Sequence, residues 1–321
     1  MSNQPLVSVG IPTYNRSESL KRSISSVINQ TYTNLEIIIS DNASTDETQK
    51  VCEKFCSLDS RVKYIRQPEN FGAGNNFKFV LEQATGEYFM WLGDDDYISK
   101  DFILKCGSEL INNSELILVS GTSRLFIERH DIYRETRQED FGENNKFKRF
   151  YKYYKTVSDN SIFYSLIRRE NLTKVSIKNN NALAQDWFMV ASLLIQGKHK
   201  SLHDIYIYRK CRQDDTFLDL VKRLNLPDYQ GKFPITFIMI GALQDLMSNK
   251  VYDELKIYER IYLALIISVS FTPYLIVKFF VNNTPQYLYS TFQFVYRFLA
   301  SSLSYSFYGL RLPTKKRNKC L

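Results

Sequence analysis

The sequence is poor in the residues that mark several common chemistries. Its five cysteines, Cys52, Cys56, Cys106, Cys211 and Cys320, are scattered over 321 residues and form no Cys-x-x-Cys pair. The three histidines, His130, His199 and His203, are not spaced as a metal site, and no Cys/His cluster has ligand spacing. An odd, dispersed cysteine count argues for reduced thiols and a cytosolic setting rather than a disulfide framework. Cys52 and Cys56 are four apart and share one face of a predicted helix, which reads as packing. Met1 to Pro5 lead at once into a strand-like run, so no signal peptide is expected. The pair Gly72-Ala-Gly74 lacks the full dinucleotide fingerprint and follows the third strand, which argues against NAD binding. No nucleic-acid motif accompanies the basic residues, so a nucleic-acid partner is not expected.

What is present is a globular composition with an uneven charge. Hydrophobic residues make up 44%, which allows a sizeable core and argues against disorder. The length accommodates one large α/β domain with an appendage, or two domains. The net charge is +8, yet the stretch through Asp101 is close to balanced, while the tail Lys315-Lys316-Arg317-Asn318-Lys319 is strongly basic. Such a tail suits an anionic membrane surface.

Along the first hundred residues, strands and helices alternate. Leu6–Ile11, Leu35–Ser40, Val62–Arg66 and Glu87–Gly93 read as strands. Between them lie helix patterns over Ser19–Asn29, with Ser17 as the expected N-cap, Glu47–Cys56 and Asn75–Ala84. This β-α-β-α-β-α-β order predicts a parallel sheet with helices on both faces. Ligands in such sheets sit beyond the carboxyl ends of the strands. The polar loops Thr13–Arg16, Asp41–Asp46, Asn70–Asn76 and Asp94–Asp96 all follow strands and should gather along one edge.

After Asp101 the pattern loosens. Strands are expected over Leu116–Ser120 and His203–Arg209, an apolar alternating stretch over Ser161–Ile167, and a helix over Ala184–Ile195. Arg124–Asp159 reads as a long charged, Tyr-rich excursion. Ile261–Val277 carries no charge but contains Ser268, Ser270, Thr272 and Pro273 and falls short of the roughly 20 apolar residues of a spanning helix. A core helix, an interfacial helix and a span all remain open for it, and the aromatic run Tyr287–Tyr308 is polar enough to lie on a surface.

The triplet Asp94-Asp95-Asp96 at the end of the fourth strand is costly, because like charges a few ångströms apart repel. A divalent cation removes that cost, and Mg²⁺ is usually held by one or two carboxylates plus substrate phosphates. The competing reading is a solvated acidic turn.

Taken together, these blocks resemble family 2 glycosyltransferases, the inverting enzymes with a GT-A fold. The resemblance covers about residues 5–215. It rests on Val-Ser-Val-Gly-Ile-Pro-Thr-Tyr-Asn-Arg at 7–16, Ile-Ile-Ile-Ser-Asp-Asn-Ala-Ser-Thr-Asp at 37–46, Asn70-x-Gly72, Trp-Leu-Gly-Asp-Asp-Asp at 91–96 and Gln-Asp-Trp at 185–187. It implies a GT-A catalytic domain over residues 1–215, a Rossmann-like, mostly parallel sheet flanked by helices. Residues 1–100 would form the nucleotide-sugar half and 101–215 the acceptor half. Residues 216–321 would form a helical region associated with the membrane. Pro12, Thr13, Tyr14 and Arg16 match the first nucleotide loop, and Asp41 the residue on the base and ribose side, with Asn42 and Ser44 in the same loop. Asn70 and Asn76 match the segment lining the nucleotide-sugar cleft. In the usual Asp-Ser-Asp-Asp pattern Gly93 stands where the first Asp would be, so Asp95 aligns with the metal ligand, Asp94 is left to take the ribose contact, and Asp96 is a weaker metal candidate. Asp186 matches the general base of a Glu-Asp pair whose Glu is replaced here by Gln185.

The implied reaction moves a sugar from a nucleoside-diphosphate sugar to a hydroxyl of an undecaprenyl-linked or other glycan acceptor. It belongs to O-antigen or other cell-surface polysaccharide synthesis, at the inner face of the cytoplasmic membrane. Mg²⁺ or Mn²⁺ would neutralise the departing diphosphate. Arg209 or Arg212 would add a second cation there, and Trp187 is a candidate for stacking on acceptor sugar or for the core. Two alternatives stand beside this reading. One is a nucleotidyltransferase, which Gly10-Ile-Pro-Thr-Tyr-Asn does not fit because it lacks a Gly-rich basic loop. The other is a catalytically silent nucleotide- or glycan-binding subunit, kept open by Gly93 and Gln185.

Overall fold

The computed structural model describes residues 4–127, 132–136, 139–157, 160–177, 183–210, 217–224 and 226–283, with side chains of the last helix as far as Thr272. Arg212, Cys211, Cys320, His130, the run Tyr287–Tyr308 and the basic tail lie outside the described residues.

The first half alternates as its sequence pattern implies. Strands β1 (Val7–Thr13), β2 (Leu35–Asp41), β3 (Val62–Arg66) and β4 (Tyr88–Trp91) are connected by helices α1 (Ser17–Ile28), α2 (Thr48–Leu58) and α3 (Ala73–Glu82). β1 and β2 are buried along their whole length, as strands covered on both faces must be. They pair in parallel with each other, and β1 pairs with β4 and β2 with β3 in the same sense. Ser17 proves to be the first residue of α1 rather than its N-cap. The cap comes from another loop, since Ser17 N–H donates to Asp46 Oδ2 at 3.2 Å.

The second half completes the sheet by non-local pairing. It runs through β5 (Tyr97–Ile98), α4 (Phe102–Asn112), β6 (Leu116–Ile127), β7 (Ile132–Thr136) and α5 (Lys146–Thr156). A 3₁₀ turn (Ser161–Tyr164), β8 (Leu166–Arg168), α6 (Arg169–Lys174), α7 (Gln185–Gln196) and β9 (Lys198–Lys210) follow. The strand order is β3-β2-β1-β4-β8-β6-β9-β5, with β7 added to β6 as a hairpin. β8 is antiparallel to both β4 and β6, while the long β6–β9 ladder is parallel. The expected excursion over 124–159 therefore resolves into the end of β6, β7 and α5, and the tyrosines Tyr153 and Tyr154 of α5 are buried in the core.

Two apolar cores flank the sheet. One holds α1, α2 and α4; the other holds α3, α5 and α7. Cys52 and Cys106 are buried free thiols, and Cys56 packs at the edge of the first core. The chain continues as α8 (Phe217–Arg223), α9 (Asp228–Lys232), α10 (Pro234–Ser248) and α11 (Ile257–Asn283). Val221, Ile235, Ile238, Leu246, Leu263, Ile267 and Phe271 join the core of α5 and α7. Among the described residues no helix is long and apolar enough to cross a membrane. α11 buries Leu263, Ile267 and Phe271 and exposes Ile257, Ile261, Leu265 and Val269 at four-residue spacing.

Candidate functional site

The loops after β1, β2 and β3 interlock before any ligand is considered. Asn76, 3% exposed at the start of α3, donates Nδ2 to the carbonyls of Thr13 (3.3 Å) and Ser40 (3.0 Å) and accepts from Ser40 Oγ at 2.5 Å. Asn42 Nδ2 donates to Asn70 Oδ1 at 2.6 Å, and Asn42 Oδ1 accepts from Phe71 N–H at 3.0 Å. Ser44 Oγ accepts from Asn15 N–H at 2.9 Å. Asp41 is fully buried: Oδ1 accepts from Ser44 N–H and Oδ2 from Tyr64 Oη, both at 2.8 Å, with Arg66 Nε 3.8 Å away. Asn76 and Asp41 thus hold the loops in place, while Tyr14 and Phe71 are the exposed aromatics of the same edge.

The acidic loop after β4 closes this edge. Asp94 Oδ2 accepts from Thr13 Oγ1 at 2.8 Å, so it faces the first loop. Asp96 turns inward beneath Gly93, where Ser23 Oγ reaches its main-chain carbonyl and that of Gly93. A Cβ on Gly93 would lie 2.8 Å from Asp96 Oδ2, so this position of Asp96 requires glycine at 93. Burial, then the neighbouring Asp95 charge, pushes Asp94 up to about 6. Burial pushes Asp96 up to about 7, with Arg209 pulling the other way and Asp95 and Asp94 adding repulsion. Tyr97, next in the chain, stacks on Tyr208 of β9 at 4.4 Å with Arg22 over its other face at 4.3 Å, and Arg22 donates to the Asp95 carbonyl at 3.3 Å.

The start of α7 shares the Arg209 charge with the acidic loop. Gln185 Oε1 lies 3.6 Å from where a Cβ on Gly74 would sit, which sets this helix against the third loop. Asp186 Oδ2 accepts from Asn160 Nδ2 at 2.8 Å. Burial pushes the Asp186 carboxyl up, against the pull of Asn160, Arg209 and the backbone N–H groups of Asp186 and Trp187. Arg209 connects the two sides. Its Nε is 3.7 Å from Asp96 Oδ2, its Nη1 donates to Ser161 Oγ at 2.8 Å, and its guanidinium lies 4.7 Å over the Tyr164 ring. Trp187 packs at the edge of the core.

Backbone strain marks the same place. Among the described residues the non-glycine positive φ angles fall at Asn15 (52°), Ala43 (61°), Asn160 (47°) and Ala184 (62°). Two lie in the nucleotide-side loops, and two flank Asp186 in space or in sequence. Such conformations cost of order 1–3 kcal/mol each and cluster where a site needs fixed geometry.

Most of the residues picked out in the sequence therefore meet at one edge: Pro12, Thr13, Tyr14, Arg16, Asp41, Asn42, Ser44, Asn70 and Asn76 in the first three loops, Asp94–Asp96 beside them, and Asp186 and Arg209 across from them. Tyr64, Arg66, Ser23, Asn160 and Ser161 were not picked out. Tyr64 and Arg66 carry the one usable signal, a polar residue on the strand next to Asp41. The acidic loop suits a divalent cation, because packed carboxylates held at raised pKa are relieved by one. No three His, Cys, Asp or Glu side chains among the described residues are grouped to hold a metal ion. Waters and diphosphate oxygens would have to complete the shell, as is usual for Mg²⁺.

Comparison with known proteins agrees with this layout. The family model described as glycosyl transferase family 2 matches residues 8–176, just over half of the chain. A chondroitin synthase of Pasteurella multocida is 34% identical over 252 residues, 78% of this chain and 24% of its own length. A GalNAc(5)-diNAcBac-PP-undecaprenol beta-1,3-glucosyltransferase of Campylobacter jejuni is 41% identical over 93 residues, 29% of this chain and 30% of its own. The crystal structure of S. aureus TarS 1-349 in complex with UDP-GlcNAc superposes with a TM-score of 0.60 at 17% identity, covering 88% of this chain and 77% of that one, which shows the fold. The chain spans less than half the length of the curated relatives it matches first. The fold is of the GT-A kind, and the chain belongs to glycosyl transferase family 2.

Proposed function

We propose that the protein transfers a sugar, with inversion, from a nucleoside-diphosphate sugar to a hydroxyl of a lipid-linked glycan acceptor in cell-surface polysaccharide synthesis. The observation that carries this reading is that one cation, Arg209, lies 3.7 Å from Asp96 of the acidic loop and also acts on the Asp186 carboxyl at the start of α7. Inversion needs attack on the face of the sugar opposite to the leaving group. A base on one side and cationic help on the other meet that need. Thr13, Tyr14 and Arg16 take the nucleotide together with the loop that Asp41 organises, Asp94 takes the ribose beside Thr13, and Asp95 is the principal metal ligand, with Asp96 behind it. A bound divalent ion would neutralise charge on the departing diphosphate. Arg209 supplies a fixed positive charge near the same oxygens. Asp186 takes the acceptor proton, and its raised pKa makes it a stronger base than a solvated aspartate. The UDP-sugar complex of a structural neighbour and the undecaprenol substrate in a relative's name support the donor and acceptor classes.

The same reading places the protein on the inner face of the cytoplasmic membrane. The outer stripe of α11, Ile257, Ile261, Leu265 and Val269 with Tyr258 and Tyr262, is apolar although its inner face already fills the core. Helix α5, packed beside it, exposes Lys148, Tyr151 and Lys155. An apolar stripe next to lysines suits an anionic bilayer surface.

Release of nucleoside diphosphate from a panel of UDP- and GDP-sugars, with Mg²⁺ or Mn²⁺ and with EDTA, tests the chemistry on undecaprenyl-linked acceptors. Metal-dependent release that needs acceptor is expected. Nucleotide binding without release across the panel would favour the silent subunit. Co-sedimentation with phosphatidylglycerol vesicles should exceed that with phosphatidylcholine vesicles and fall in Ile261→Glu/Leu265→Glu; equal sedimentation would remove the membrane assignment.

A further inference from the structure

Two adjacent residues ahead of β8, Asn160 and Ser161, contact Asp186 and Arg209 respectively. Asn160 is 2% exposed and holds φ 47°, ψ 36° at the head of the 3₁₀ turn. Its Oδ1 accepts from Tyr153 Oη at 2.8 Å, and its Nδ2 donates to Asp186 Oδ2 at 2.8 Å. The orientation of that amide is not free. An ionised Asp186 can only accept, so the Asn160 amino group faces it, which leaves Oδ1 to accept from the Tyr153 hydroxyl. The next residue, Ser161, receives Arg209 Nη1 at 2.8 Å, on the arginine whose Nε approaches Asp96.

We propose that Asn160 and Ser161 are a pair of positioning residues: Asn160 holds the Asp186 carboxylate, Ser161 holds the Arg209 guanidinium, and one turn of chain thereby sets the separation of the two sides of the cleft. This rests on the reading of Asp186 as the base. It extends that reading by naming what orients the carboxylate in a site where the family's second carboxylate is replaced by Gln185. An amide is a useful partner here, because it fixes one oxygen without competing for the acceptor proton, as another carboxylate would. The groups facing Asp186 are Asn160 and Tyr164 from the 3₁₀ turn, Tyr153 from α5, Arg209 from β9 and the backbone N–H groups at the start of α7.

Asn160→Gly separates side chain from backbone, because glycine adopts positive φ without strain. With the sugar nucleotide that turns over in the panel, Asn160→Gly should lower kcat about ten- to hundredfold, the scale of one hydrogen bond to a charged group, and leave donor KM within about twofold. Tyr153→Phe should lower kcat less, and Tyr153→Phe/Asn160→Gly should be no worse than Asn160→Gly alone, since both act through one amide. Ser161→Ala should raise donor KM with little change in kcat. A readout free of substrate is the ¹³C carboxyl titration of Asp186, assigned by its loss in Asp186→Asn. It should move to higher pH in Asn160→Gly, because a donor to the ionised form is gone. Wild-type kcat together with an unmoved titration in Asn160→Gly would overturn the inference, as would a variant whose only defect is a lower melting temperature. Full turnover in Asp186→Asn would overturn the base assignment and this inference with it. An inactive Asp186→Asn beside a fully active Asn160→Gly would overturn the positioning role alone.

Discussion

Replacing Asp186 by asparagine tests the centre of the proposed chemistry with little structural disturbance. The side chains have the same shape, so no cavity opens. Asn160 Nδ2, which now donates to Asp186 Oδ2 at 2.8 Å, can donate equally to the amide oxygen of the variant. The new amide NH₂ then faces the cleft and cannot take a proton. General-base help is typically worth 10²–10⁴-fold, so kcat should fall by about that factor, roughly 3–5 kcal/mol of barrier. UDP affinity measured by calorimetry should hardly change, since Asp186 lies across from the nucleotide loops. The pH profile adds a second criterion. Burial raises the Asp186 pKa above its ordinary 3.8, so wild-type kcat should fall as pH drops through that raised value, and the residual activity of the variant should lack this limb. Coupled detection of released nucleoside diphosphate measures both. A variant with turnover within about threefold of wild type would refute the assignment, because no base effect is that small.

Three further outcomes follow from the same geometry. Asp96 is buried with its pKa raised to about 7, so the folded state favours its neutral form. A carboxyl whose pKa rises on folding leaves stability unchanged below its unfolded pKa; stability then falls as pH rises towards the folded pKa, and the loss is complete above it. Asp96→Asn should therefore stabilise the metal-free protein at pH 8, by an amount on the order of 2–4 kcal/mol, and by almost nothing at pH 4, measured as denaturant midpoints. Glu36 behaves in the opposite sense. Burial pushes it up, but Lys63, Ser8 and Thr85 overcome this and hold it at about 2. That contribution is present above about pH 4.5 and lost as pH falls towards 2, so Glu36→Gln should cost about 1–3 kcal/mol at pH 7 and converge with wild type in acid. Gly93→Asp restores the carboxylate of the family pattern, yet its Cβ would meet Asp96 Oδ2 at 2.8 Å. It should lower turnover rather than raise it, and a gain would show that Asp96 moves freely.

The first half of the fold was legible because its contacts are local in pattern. Val7, Val9 and Ile11, and Leu35 with Ile37–Ile39, make short apolar runs of strand length, and each strand is followed by an amphipathic helix. The second half was less legible because β8 is three residues long and is defined by its neighbours β4 and β6 rather than by its own composition. Ser17 looked like a cap, but the N-terminus of α1 is capped by Asp46 from a loop 29 positions away. At the site, the letters of Asn42, Asn70 and Asn76 read as ligand contacts, whereas Asn76 spends its side chain on Thr13 and Ser40 and Asn42 on Asn70 and Phe71. Asn160 and Ser161 sit in no motif, and nothing local distinguishes them from other turn residues.

By itself the sequence determined the family, through its motif blocks, and which loops meet, because strand-loop-helix order in a parallel sheet sends every such loop to the same edge. The resemblance gave the three consecutive aspartates different roles, but the sequence says nothing of their burial or partners. Only the tertiary structure separates Asp94, held by Thr13, from Asp96, folded under Gly93 towards Arg209, since burial and the nearest opposite charge are set by chain segments far apart in sequence. The same holds for Asp186, whose partners arrive from the 3₁₀ turn and from β9.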